Sequence, residues 1–244
     1  MRADPVVTVL PDPIALAAHV AQWLIAAARA KDGPFAVALS GGSTPRTLYR
    51  LLAEPLWSEQ IPWKRVHWFW GDERFVPKDH PDSNFRMVRE VLLSHVPVPP
   101  ENVHPIPTHG EPEAAAEHYA HELRTYYEAA ELDPHRPLFD VTLLGLGDDG
   151  HTASLFPGNT AALTESTAWV TAVVGAKPEP RISLTYPALN SSATAAFLIT
   201  GAGKHAMVER LKAHDPALPA SGVRPLGDLH IFLDHAAASG AGTP

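Results

Sequence analysis

Short apolar runs alternate along the chain with longer stretches in which apolar residues recur at helical spacing. The runs 6–10, 35–39, 66–70, 139–144, 169–174, 195–200 and 230–233 are rich in β-branched, aromatic or leucine residues and read as strands. Between the first two, Asp12 and Pro13 offer an N-cap and a first-turn proline. Ile14, Ala17, Ala18, Ala21, Leu24, Ile25 and Ala28 then follow at helical spacing and predict a helix. Further helices are predicted over 45–53, 84–95, 112–132 and 204–214, each after a loop containing Gly, Ser, Thr or Pro. Strands alternating with helices predict an α/β fold with a mainly parallel sheet covered on both faces.

At 244 residues, 45% of them hydrophobic, the chain is expected to form one α/β domain over residues 1–235. Residues 236–244 are small and polar and are expected to fray as a tail. The 25 prolines concentrate in connections such as 96–107 and 177–180, where they stiffen loops and mark no linker. The absence of cysteine excludes disulfides, thiolate catalysis and Cys-based zinc sites. A formal net charge of −8 argues against a nucleic-acid partner, so positive charge for an anionic ligand must be local. No apolar run approaches the roughly 20 residues that cross a bilayer, and the first residues lack a secretory signal, so a cytoplasmic protein without membrane partners is expected. Among 14 histidines, His118 and His121 share a helical face, but that helix is rich in Ala and Glu. They are taken as surface residues, and no metal is expected.

Ligands of a parallel sheet bind where loops leave the carboxyl ends of strands. Four such loops carry chemistry. In Ser40-Gly41-Gly42-Ser43-Thr44-Pro45 the glycines turn the backbone tightly, Thr44 is a cap and Pro45 suits the first helical position. The loop reads either as an anion cradle, with free amides and the Ser43 and Thr44 hydroxyls as donors, or as an ordinary capped turn. In Gly71-Asp72-Glu73-Arg74-Phe75-Val76-Pro77, Arg74 either binds phosphate as a fork or pairs with Asp72 or Glu73. The third loop, Gly145-Leu146-Gly147-Asp148-Asp149-Gly150-His151, sets Asp149 beside His151. A histidine, with an unperturbed pKa of about 6.5, is suited to take a proton from water, and a neighbouring carboxylate fixes its tautomer.

That loop also matches Gly-x-Gly-x-x-Gly. Two aspartates facing a pyrophosphate, and Pro157-Gly158 where a long helix should follow, exclude a dinucleotide site. In the fourth loop, Thr200-Gly201-Ala202-Gly203-Lys204, the lysine is a plausible phosphate contact. It is not a Walker loop, because Leu198 replaces the first glycine and His205 follows the lysine. Arg181 is either a further cationic contact or a solvated strand-edge residue.

Taken in order, Ser40 to Pro45, Gly71 to Pro77, Gly145 to Pro157 and Gly201 to Lys204 resemble the 6-phosphogluconolactonase family, which shares a superfamily with the glucosamine-6-phosphate deaminases. The resemblance covers nearly the whole chain. It implies a three-layer α/β/α Rossmann-like sandwich, no cofactor, and hydrolysis of 6-phospho-D-glucono-1,5-lactone in the oxidative pentose phosphate pathway. It further implies His151 as the base that activates water and Asp149 as its helper. Gly41, Gly42, Ser43, Thr44, Arg74, Arg181 and Lys204 become the substrate and phosphate contacts. A monomer or weak dimer is expected. In the deaminase pattern an Asn-Glu-Pro segment follows the histidine, whereas Leu155-Phe156-Pro157 stands here, and phenylalanine has no proton chemistry. A non-catalytic sugar-phosphate sensor would keep the cradle and lack His151 and Asp149.

Overall fold

The computed structural model describes residues 4–241. The elements run β1 (Val6–Leu10), α1 (Pro13–Ala30), β2 (Phe35–Leu39), α2 (Ser43–Ala53), α3 (Pro55–Ser58), β3 (Val66–Trp70), β4 (Asp72–Arg74), α4 (Asn84–Val91), β5 (Val103–His104) and α5 (Pro112–Tyr127). They continue with β6 (Phe139–Leu144), α6 (Thr160–Thr164), β7 (Val170–Val173), β8 (Arg181–Leu184), α7 (Tyr186–Asn190), β9 (Ser192–Ile199), α8 (His205–Lys212), β10 (Asp228–Asp234) and α9 (His235–Ser239). Seven strands form a sheet in the order β1-β10-β9-β6-β2-β3-β5, and every pairing in it is parallel. Helices cover both faces, as the alternating pattern predicts.

The order of this sheet locates the crevice. From β2 the chain proceeds outward through β3 to β5, whereas β6, β9 and β10 build outward on the other side. The reversal lies between β2 and β6, whose register pairs Val37 with Val141 and Ala38 with Thr142. Loops leaving the carboxyl ends of these neighbours diverge and leave a cleft. All five β2 residues are buried, which is why this segment reads as apolar without alternation.

Run 169–174, expected among the parallel strands, is corrected. Its strand β7 pairs antiparallel with β8, which pairs antiparallel with β4, in a separate three-stranded sheet. Its ends are buried and its middle only partly so, unlike the fully covered central strands. The edge place in the main sheet belongs to β5, two residues long inside a proline-rich connection and too short for any periodicity to show. Helix α5 ends at Tyr127, short of residue 132, because Glu128 takes a left-handed conformation at φ 56°. The predicted start of α1 holds: Asp12 accepts from the amides of Ile14 at 2.9 Å and Ala15 at 2.8 Å.

The expectation that residues 236–244 fray is also corrected for those described. Asp234 caps α9, and Ala237 is fully buried; residues 242–244 lie outside the described chain. The buried Asp234 carboxylate accepts from Ala237 N at 2.7 Å and Gly201 N at 3.0 Å, so it anchors both α9 and the loop after β9. Asp234→Ala should cost about 2 kcal/mol in chemical denaturation, because it removes a cap and strands a backbone donor. Among the described residues no helix is long and apolar enough to cross a membrane.

Candidate active site

Two tyrosines fix where the crevice loops begin. The Tyr49 hydroxyl, from α2, accepts from Ser40 N at 3.0 Å and donates to Ser40 O at 2.9 Å. Tyr119, from α5, does the same for Trp70, at 2.9 and 3.1 Å. Burial pushes both phenols well above their ordinary pKa, which keeps them neutral and able to donate and accept at once.

Beyond Ser40 the backbone can follow its path only with glycine. A Cβ on Gly41 would lie 2.0 Å from Asn84 Oδ1, and Gly42 has φ 104°. Gly42 is the N-cap of α2, and among the described residues no side chain caps this helix. Its first amides and the positive end of its dipole therefore meet the crevice. Thr44 is not the expected cap: it lies inside the helix, and its Oγ1 shares a 2.7 Å hydrogen bond with Thr200 Oγ1 at the end of β9. Pro45 is the third helical residue, not the first.

The loop after β6 closes on itself. Gly147 N donates to His151 O at 2.8 Å and Gly150 N to Gly147 O at 3.0 Å, with Gly150 at φ 84°. This turn puts Asp149 Oδ1 2.5 Å from His151 Nδ1 and 3.1 Å from His151 N. An ionised carboxylate only accepts, so Nδ1 carries a proton, and in the neutral ring the lone pair is on Nε2. The ring packs on Phe156, centroids 4.7 Å apart, and against Gly147, where a Cβ would lie 2.0 Å from Nδ1.

Partial burial works against ionisation of Asp149, yet the two His151 bonds and the Lys177 charge outweigh it and hold the carboxyl below its ordinary pKa. Its folded value thus lies below the unfolded one of about 3.9, so the stability it contributes is present above that pH and lost as pH falls through the depressed value. Thermal denaturation of wild type and Asp149→Asn should show a Tm gap that is constant near neutrality and closes below about pH 4.

Positive charge gathers in the cleft that His151 lines. The β4–β8 register sets Arg74 beside Arg181. Arg74 pairs with neither acid beside it: Nη1 donates to Asp82 O at 2.6 Å, Asp72 Oδ2 accepts from Ser154 Oγ at 2.6 Å, and Glu73 is turned toward α4. Arg181 Nη1 is buried and has no hydrogen-bond partner among the described residues; its acidic neighbour, Glu179, is 3.7 Å away. Burial and the Arg74 charge lower the pKa of Arg181 against the opposing pull of Asp72, Glu179 and Glu73. Lys204 is paired with Asp148, and Lys177 lies over the Phe156 ring at 4.9 Å.

Gly41, Gly42, Ser43, Thr44, Arg74, His151, Arg181 and Lys204 all line one cleft of about 390 Å³, with Asp149 supporting His151. Lys177, Asn84 and Ser154 also line it and carry no local signal in the sequence. Lys177 is hidden in a proline-rich connection, and Asn84 looks like an ordinary first helical residue. His118 and His121 are exposed on α5, away from these loops.

The family model for glucosamine-6-phosphate isomerases/6-phosphogluconolactonase matches residues 11–231. A 6-phosphogluconolactonase of Nostoc sp. is 42% identical over 96% of this chain and 97% of its own. One from Synechocystis sp. is 45% identical over 87% of each. The crystal structure of 6-phosphogluconolactonase from Thermotoga maritima superposes with a TM-score of 0.82 at 32% identity, over 94% of this chain and 99% of that one. The chain belongs to the glucosamine-6-phosphate isomerase/6-phosphogluconolactonase family.

Proposed function

We propose that this cleft opens 6-phospho-D-glucono-1,5-lactone to 6-phospho-D-gluconate, the lactonase step of the oxidative pentose phosphate pathway. One observation carries the reading: an oriented His151–Asp149 pair shares its cleft with two adjacent arginines, one holding a buried, unpartnered donor. Such a cleft suits a neutral reacting centre tethered to a dianion. Curated relatives at 42% and 45% identity bear the name of this activity.

In the reaction, His151 Nε2 takes a proton from water as the water oxygen attacks the lactone carbonyl. The carbonyl oxygen becomes an oxyanion, which backbone amides of the glycine loop stabilise. As the C1–O5 bond breaks, His151 returns the proton to O5, leaving a carboxylic acid that ionises in water. Asp149 holds the tautomer and balances the imidazolium. Arg74, Arg181, Lys204 and the amides and hydroxyls of Gly41 to Thr44 hold the 6-phosphate, whose binding energy orients the ring. The same reading describes a cytoplasmic enzyme, a monomer or weak dimer, with no nucleic-acid partner.

The deaminase alternative meets Phe156 against His151, where its pattern has a catalytic glutamate. Assays run side by side should find lactone consumed and no ammonia released from glucosamine 6-phosphate. Ammonia release without lactone turnover would overturn the assignment. Arg181→Met should raise KM for the lactone by about 10- to 100-fold with a smaller change in kcat, measured by initial rates, since it removes charge-assisted bonds to the phosphate.

A further inference from the structure

The most deeply buried acid among the described residues takes no part in the reaction. Glu73 is 1% exposed, and its carboxylate accepts four hydrogen bonds. Oε1 takes Arg74 N at 2.8 Å and Asn84 N at 2.7 Å; Oε2 takes Phe85 N at 2.7 Å and Ser83 Oγ at 3.1 Å. Burial pushes the Glu73 carboxyl above its ordinary pKa, and the bonds from these four donors work against that shift by favouring the ionised form. Two of them belong to residues of the cleft. Arg74 carries its guanidinium there, and Asn84 lays its amide against Gly41 while Nδ2 donates to Asp72 O at 2.9 Å. Asp72 in turn accepts from Ser154 in the loop after His151. A single connected network joins β4, α4, the anion cradle and the histidine loop.

We infer that Glu73 is a positioning residue of this cleft, touching no substrate and holding Arg74 and the Asn84–Gly41 contact in register for the phosphorylated end of the ligand. The inference rests on the lactonase reading. It goes beyond packing because Glu73 fixes the backbone of two cleft-lining residues, Arg74 and Asn84, at once, so losing it should loosen binding before chemistry.

Glu73→Gln keeps the volume but replaces one acceptor oxygen by an amide donor, which then faces two other donors. In the purified variant, KM for the lactone and Kd for 6-phosphogluconate, measured by calorimetry, should rise together by about tenfold or more. The kcat at saturation should stay within about twofold of wild type. Asn84→Ala leaves the bonds between Glu73 and the backbone in place, removes the link to Gly41, and should show the same split. Should Glu73→Gln fail to fold, Glu73→Asp, which keeps the charge and draws it back from its donors, decides the matter by the same split. Unchanged KM and Kd in a folded Glu73 variant, or a fall in kcat alone, overturns the inference. Wild-type protein that neither opens the lactone nor binds 6-phosphogluconate would instead overturn the functional reading, so the two failures are separable.

Discussion

Replacing His151 by alanine should lower kcat on 6-phosphogluconolactone by about 10²- to 10⁴-fold, the usual worth of a positioned general base. The expectation follows from the arrangement of the ring. Nδ1 is committed to Asp149, leaving Nε2 as the acceptor that faces the cleft. Without it, water attacks the carbonyl only as fast as the oxyanion donors and the tethered phosphate allow. The side chain is 29% exposed, so its loss opens no sealed cavity. Stability should therefore change by about 1 kcal/mol or less, and KM should stay near wild type because the phosphate contacts are untouched. Initial rates corrected for spontaneous opening, with a thermal melt of the same sample, test both parts. A folded variant with wild-type kcat would remove His151 from the chemistry.

Gly147→Ala should lower kcat by about 10²-fold without removing a polar group. The new methyl would lie 2.0 Å from Nδ1 and 2.2 Å from Cε1 of His151, so the ring must give way by on the order of 1 Å to reach ordinary carbon contact. Moving the ring that far breaks its bond to Asp149 and takes Nε2 out of line with the carbonyl. The substitution requires no left-handed backbone, so the effect should fall on kcat and leave the fold intact. Comparing Gly147→Ala with Asp149→Asn in the same assay separates ring placement from tautomer control. A variant with wild-type kcat would mean that the position of the ring does not limit the reaction.

The parts of this molecule that sequence reasoning reaches are those whose partners lie close in the chain. Residues 35–39 are apolar throughout because both faces of β2 are covered, and the Asp12 cap is complete within three residues. His151 and Asp149 are two residues apart, so their pairing is visible in the loop itself. What escapes is set by contacts across the chain. Whether Arg74 serves an ion pair or a ligand depends on where Asp72 and Glu73 turn, and they turn to Ser154 and to α4. The buried donor of Arg181 exists only because β8 docks on β4, more than a hundred residues earlier, and no local pattern announces that pairing. Thr44 looks like a cap because caps are local; its partner, Thr200, comes from another strand.

The measurement that tests the account most directly is a progress curve of freshly generated 6-phosphogluconolactone with and without purified protein, at neutral pH. The account predicts that catalytic amounts of wild-type protein consume the lactone far faster than it opens unaided and yield 6-phosphogluconate in equal amount. A curve that superposes on the spontaneous one, with the protein folded and in excess of any trace contaminant, would contradict it.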